Sequence, residues 1–362
     1  AYLGTVSLME LSSLTDCHSY AALFSFYAGA LAGPVLDTCV FIYGNGACVG
    51  YLIFLGDFVP PLIELVGWAG STDTDFMSLD TCRTLAILVW AACVFVPSVQ
   101  RDVSVLRHFA PLSIIALFYI AIVLIVLMPS QYQHHIEVDG PVEHFKFGLG
   151  LIEAWPMCLF AYNCHMNVVS VGGVLIRPTR IRLKKVAVSV NVLQCLFYLS
   201  VGLAGYVSFM GATQDNIIKN FAPSNPWIAV GRAILTIVML VAIPSNMVPT
   251  VQSGLRLFCT RSSERTSLTA DELAPEAAAD SDYSTVKRVL LGFFCIVAQA
   301  VIAIFTPGIK IVIGFMGATI ATTMMLIIPA YLIHCGLPHT GRNLAKKALF
   351  LIFSVAALAS VP

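Results

Sequence analysis

Long uncharged apolar runs, separated by short segments that hold nearly all the charge, make up most of the chain. A helix needs roughly 20 apolar residues to cross a bilayer. Four runs meet this cleanly: Phe109–Met128, Val186–Met210, Val289–Ile309 and Ile311–Ile333. Four others, Gly33–Phe58, Thr84–Gln100, Phe147–Ile176 and Trp227–Leu255, are interrupted by glycine, proline or polar residues. Ala1–Leu11 and Ala348–Pro362 read as partial helices at the two ends. The pattern predicts an all-α polytopic membrane protein, a single domain over residues 1–362 with about ten helices. Ser19–Ala28, carrying Tyr20, Phe24, Phe26 and Tyr27, is expected to lie along the interface with its aromatics at headgroup level.

Composition agrees. Apolar residues are 58% of the chain and charged residues 11%, against about a quarter charged in a soluble domain. The zero net charge and the lack of a basic face interleaved with aromatics exclude nucleic acid as a partner. The chain starts at Ala1 with no charged leader, so no signal peptide is visible, and it ends inside an apolar run. It reads as a fragment of a longer protein. The 11 cysteines lie mostly in the spans, with only Cys82 in a polar outer loop, and suggest neither a disulfide nor a metal site.

The basic residues give the orientation. Arg177–Lys185 holds five of them; Arg101, Arg107, Arg342, Lys346, Lys347 and the flanks of the longest loop hold ten more, all in alternate loops. The opposite loops carry Asp73, Asp75, Asp80, Glu137, Asp139 and Glu143. The positive-inside rule puts the first set in the cytosol. Residues 261–285, rich in Ser, Thr, Ala, Asp and Glu, read as a flexible cytosolic loop. The pair His134–His135 reads as part of a solvated outer loop, although with Glu137 and Asp139 it also offers a weak metal site. No catalytic motif is present, and no enzyme activity is expected.

Three interrupted spans carry the candidate chemistry. In Trp155–His165, Pro156 removes a backbone donor, and Asn163, Cys164, His165 and Asn167 bring polar groups to membrane depth. Irregular backbone at that depth survives only inside protein or along a cavity. An unwound segment at Ala161, Tyr162, Asn163, Cys164, His165 and Asn167 could meet a zwitterion with backbone amides and carbonyls. The competing reading is a kinked helix whose polar groups only bond neighbouring helices. His165 fits a proton relay or a neutral core residue. Glu153 fits a cation or proton site, or a carboxylate that simply reaches the outer water.

In Tyr43–Asp57, Gly44, Gly46 and Gly50 clear one face for a helix or a ligand, while Tyr43, Asn45 and Tyr51 offer polar contacts. Asp57, near the outer end, is expected to be solvated. In Ile243–Thr250, Pro244 and Pro249 free carbonyls, and Ser245 and Thr250 add hydroxyls. Such neutral oxygens suit Na⁺, and equally they suit a self-satisfied proline kink. Arg232, with no visible partner, is expected to snorkel to the interface.

FAYNCHMN at 160–167, GNGACVGYLIFLGD at 44–57, VGLAGYVSFMG at 201–211, DNI at 215–217 and GFMGATIATTMMLIIPAYLI at 314–333 together resemble the amino acid/auxin permease family. That family includes sodium-coupled and proton-coupled amino acid transporters. The resemblance implies a leucine-transporter-type fold of the amino acid–polyamine–organocation superfamily, with two inverted five-helix repeats and one further helix. On that pattern Phe147–Ile176 opens the second repeat, and Trp227–Leu255 is the counterpart of Gly33–Phe58. The broken first helix of the family is missing here.

The expected function is ion-coupled amino acid transport by alternating access, a symport with Na⁺ or H⁺ and no other cofactor. The expected partners are an amino acid and the lipid bilayer, in a plasma or an endolysosomal or vacuolar membrane. The substrate would meet the 161–167 break with Tyr43, Asn45 and Tyr51, and the ion would meet Ser245, Thr250 or Glu153. The rival is a membrane sensor that binds an amino acid and signals without net transport.

Overall fold

A computed structural model describes residues 1–17, 19–65, 79–100, 109–139, 142, 148–165, 168–169, 171, 179–259 and 284–360. The described residues form helices: α1 (Tyr2–Thr15), α2 (Tyr20–Ala28), α3 (Ala32–Leu65), α4 (Leu79–Ser98), α5 (Ala110–Asp139) and α6 (Leu149–Ala161). They continue as α7 (Arg180–Phe209), α8 (Pro226–Cys259), α9 (Thr285–Phe305), α10 (Ile309–Gly336) and α11 (Gly341–Leu358). Among the described residues, seven helical segments are long and apolar enough to cross a membrane, and α6 is a shorter apolar helix.

Local sequence explains where these helices stop. Asp16 takes a left-handed conformation (φ 56°) and ends α1, and Ser19 then caps α2 by accepting from Ala22 N. Gly29, at φ 60°, separates α2 from α3 in a region where a side chain would be strained. The α10 helix is regular to Met316 and then widens into π turns at Gly317–Ala321 and Thr323–Ile327. Thr322 Oγ1 donates to Gly317 O at 2.8 Å, across the widened turn.

Two apolar cores result. One joins α3, α4, α5, the C-terminal half of α7, α8, α9 and the start of α10, with α3 and α8 forming the most extensive helix pair. The other joins α1, α2, α6, α7, α10 and α11. Close crossings hold them together. A Cβ at Gly44 would overlap the Thr250 hydroxyl of α8, and one at Gly46 would overlap Met316 of α10. A Cβ at Gly50 would crowd Ile309. These glycines therefore do not clear one face. Two residues span roughly 200° of helix, so Gly44 and Gly46 serve opposite neighbours, and both serve packing.

Four other expectations need correction. The α5 helix runs through His134 and His135 to Asp139, and the His135 ring packs edge-on against Phe209 with centroids 5.1 Å apart. That pair therefore belongs to a helix and not to a loop. Cys82 is buried in the first turn of α4. In α2, Tyr20 and Phe24 turn inward, and Tyr20 Oη donates to Met324 O at 2.8 Å; Phe26 stays exposed. Arg232 does not snorkel. It is 2% exposed and donates to the carbonyls of Ile218 and Phe221 at 2.9 and 3.0 Å, pinning the segment before α8. Residues 261–285, apart from Thr285 at the start of α9 and Ser284 before it, lie outside the described residues, as does Gly172–Gly173.

Candidate functional site

Helix α6 stops at Ala161, and a helical residue reappears only at His165. Tyr162 N still reaches Cys158 O at 3.0 Å, but Asn163 N turns to Phe160 O (3.2 Å) and Cys164 N to Tyr162 O (2.9 Å). These tight turns replace the helical ladder. The break lies one turn beyond Pro156, whose ring and missing N–H weaken the helix before it.

Neighbouring helices satisfy part of the break and leave part of it open. The Ala161 carbonyl accepts from Tyr198 Oη at 2.9 Å and from Gln194 Nε2 at 3.1 Å, both on α7. The Tyr162 ring stands edge-on to Tyr198, with centroids 5.2 Å apart. From α3, the Tyr43 ring lies 5.6 Å from Phe160, and its hydroxyl faces the Asn163 side chain. Asn163 Oδ1 is buried without a hydrogen-bond partner among the described residues, and the fully buried His165 ring lies against the backbone of Ala1. A Cβ at Gly4 would press on the His165 ring, so α1 forms the roof over that imidazole. Buried polar atoms left unpaired cost on the order of 1–3 kcal/mol each.

Other sequence candidates sit elsewhere. Asn45 turns away from the break. Its Nδ2 donates to Phe41 O at 2.7 Å, and its Oδ1 accepts from Gln299 Nε2 of α9 at 2.7 Å. Tyr51 faces Asn246 of α8. Asn167 lies outside the described residues. Cys164 is half-buried beside the break.

Helix α8 runs unbroken through Pro244 and Pro249. Ser245 is exposed and donates to Val241 O at 2.9 Å, whereas Thr250 is buried and donates to Asn246 O at 2.6 Å. Five residues turn a helix by roughly 140° beyond a full circle, so these two hydroxyls diverge and do not share one cage. Each keeps lone pairs beyond the bond it donates. Glu153 is exposed and pairs with Lys310 Nζ at 2.9 Å. Asp57 is not solvated: its side chain is 6% exposed, 3.5 Å from Lys219 Nζ, 3.6 Å from Arg83 Nε and 3.5 Å from Asn216 Nδ2.

Sequence reasoning passed over Gln194, Tyr198 and Gln299. Gln194 and Tyr198 are four apart and so share a helix face; that spacing inside an apolar run was the available signal. Gln299 is a lone amide within an apolar span, and its Oε1 is also buried without a partner among the described residues.

A membrane domain with a broken helix over unpaired polar groups has the anatomy of a solute carrier. The chain belongs to the family described as transmembrane amino acid transporter protein, whose model matches residues 2–361. It is 27% identical over 258 residues to the amino acid transporter candidate AAT1 of Toxoplasma gondii, covering 71% of this chain and 35% of that one. It is 24% identical over 337 residues to sodium-coupled neutral amino acid transporter 7 of Danio rerio, covering 90% and 67%. It is 24% identical over 319 residues to vacuolar amino acid transporter 5 of Schizosaccharomyces pombe, covering 87% and 69%. The chain thus spans about a third of the first relative's length and about two thirds of the other two. The family is one of transporters and not of enzymes.

Proposed function

We propose that the chain is the larger part of a secondary active amino acid transporter that works by alternating access. The observation that carries this reading is the break at Ala161–His165, where Asn163 Oδ1 is buried with no hydrogen-bond partner among the described residues. An amino acid's ammonium and carboxylate match such a site without a buried counter-charge, because freed helix ends supply partial charges. Tyr43, facing Asn163, supplies a hydroxyl from α3. Ala161, Tyr162 and Cys164 complete the wall, with Asn45 and Tyr51 acting one layer behind through Gln299 and Asn246.

The leucine-transporter-type arrangement is supported by the two cores. The α3–α4–α8–α9 group suits the static half of such a transporter and the group containing α1, α2 and α6 the moving half, with α7 packing into both cores. Coupling to Na⁺ or H⁺ as a symporter is the companion reading. Thr250, buried at the α3 crossing, is a better ion ligand than exposed Ser245 or the paired Glu153. The basic loops face the cytosol, and the membrane is the plasma membrane or an endolysosomal or vacuolar one. The fission yeast relative's vacuolar name supports the second.

Uptake of labelled amino acids by the full-length protein in liposomes, with and without Na⁺ or a pH gradient, tests this. Concentrative uptake that depends on one of the two gradients is expected. Saturable binding with no uptake under either gradient would overturn transport in favour of a sensor.

A further inference from the structure

A cavity of about 470 Å³ lies between α1, α7 and α11, and both charged and apolar side chains line it. Lys184 enters from the second turn of α7, Arg342 and Lys346 from the start of α11, and Glu10 from α1. Tyr2, Leu3 and Val6 of α1 line it as well, and Ile181 and Leu183, on the first turn of α7, stand beside Lys184. Three cations facing one carboxylate leave a net positive end. Arg342 and Lys346 are one helical turn apart and share a face. Lys346 Nζ donates to Ser7 Oγ at 3.2 Å, which draws the ammonium along α1 toward Val6.

The depth of the two ends follows from α7. Asn191 Nδ2 donates to Thr5 Oγ1 at 3.3 Å, so Leu3 and Val6 sit level with the α7 interior. Asn191 is roughly 16 Å along the helix from its start, at 1.5 Å per residue. Glu10, Lys184 and Arg342 sit near the helix ends, where the charged loops begin. The cavity therefore reaches from the charged helix ends, where Lys184 and Arg342 stand beside the apolar Ile181 and Leu183, down to Leu3 and Val6 at acyl-chain level.

We propose that this cavity binds an anionic glycerophospholipid. Its phosphate sits among Lys184, Arg342 and Lys346, where the Arg342 guanidinium offers two parallel donors to phosphate oxygens. One acyl chain runs along Leu3 and Val6. Glu10 at the mouth accepts from ammonium or hydroxyl donors of the headgroup, which favours phosphatidylserine over phosphatidic acid. Anionic lipids concentrate in the cytosolic leaflet, the side on which the basic loops are proposed to lie.

The test uses the full-length protein, delipidated in detergent and titrated with phosphatidylserine, phosphatidylcholine or inorganic phosphate, with retained lipid read by native mass spectrometry. Phosphatidylserine is expected to bind and to raise the thermal midpoint, and phosphatidylcholine to do neither. The K184Q/R342Q/K346Q variant is expected to lose affinity by about fivefold per cation removed, whereas K184R/K346R, which leaves the Arg342 fork in place, and the distant K287Q retain it. Leu3→Trp keeps every charge, fills the space at acyl-chain level, and is expected to weaken lipid binding even where the triple variant does not fold. Equal retention of phosphatidylcholine, full phosphatidylserine binding by Leu3→Trp, or a midpoint raised as much by inorganic phosphate as by the lipid would overturn the proposal.

Discussion

The backbone of α10 at Gly317 presses against the carbonyl of Pro156 in α6 so closely that a single added methyl group would overlap it. Both sides of this contact are main chain, so neither can swing aside. The crossing sits where α10 widens into π turns and one turn before α6 breaks. Gly317→Ala should therefore cost about 1–3 kcal/mol, as overpacking does, and displace the break. Gly314, with nothing within 4 Å of its added Cβ, is the control. A lower thermal midpoint and lost uptake are expected for Gly317→Ala, and near-normal values for Gly314→Ala. Equal midpoints would show that the crossing is looser than described.

Much of this was legible in the sequence. Run lengths located the spans, and Pro156 with Asn163 and His165 marked the break, because hydropathy and proline chemistry are local signals. What escaped depended on partners far along the chain. Asp57 looked solvated because its cations, Arg83 and Lys219, come from α4 and from the segment before α8. Arg232 looked partnerless because its acceptors are backbone carbonyls, which carry no sequence signature. Asn45 was grouped with Tyr43 by proximity in sequence, yet two residues on a helix face opposite ways. The hydroxyls of Ser245 and Thr250 were likewise joined by sequence and are separated by helical rotation.

Asp57 ties three elements together near one end of the bundle. Replacing it by Asn keeps the shape and removes the charge, leaving Arg83 held only by the carbonyls of Ala303, Ile304 and Thr306. Lys219 is about a third exposed, so water recovers part of the loss. A destabilisation of about 1–2 kcal/mol is expected, less than for a fully buried pair. A cysteine placed at buried Ile218, which leaves Lys219 in place, should react faster with a thiol reagent in the Asp57→Asn background. Unchanged reactivity and midpoint would mean that the cluster is not a fastening.

Orientation follows from the basic loops. In a background stripped of reactive native thiols, a cysteine at exposed Thr179 should react with an impermeant reagent only from the cytosol, and one at exposed Thr213 only from the opposite side. The reverse pattern would invert the topology.

The Ala161 carbonyl has two donors, so its loss should be non-additive. Gln194→Leu or Tyr198→Phe alone leaves one bond and should reduce uptake by about fivefold or less, near the net worth of one hydrogen bond. Together they strip the carbonyl at membrane depth, and the double variant should lose far more than the product of the singles. Strictly multiplicative losses in uptake would show that the two donors act independently of the break.

Asn163 is the most direct test of the site. Its Oδ1 is buried with no partner among the described residues, and its side chain faces the Tyr43 hydroxyl, so in the proposed site it is the acceptor open to a substrate. Leu at this position removes the acceptor and, as a better helix former, favours closing the break. Removing an unpaired buried acceptor should also relieve strain, so expression and midpoint should hold or rise while uptake is abolished. Asn191 provides the contrast. Its Nδ2 already donates to Thr5 Oγ1 and to Ala187 O, so Asn191→Leu should cost about 1 kcal/mol of stability and leave uptake largely intact. Equal losses of uptake at both positions, with falling midpoints, would indicate general destabilisation. Full uptake by the Asn163→Leu protein would remove this residue from the site.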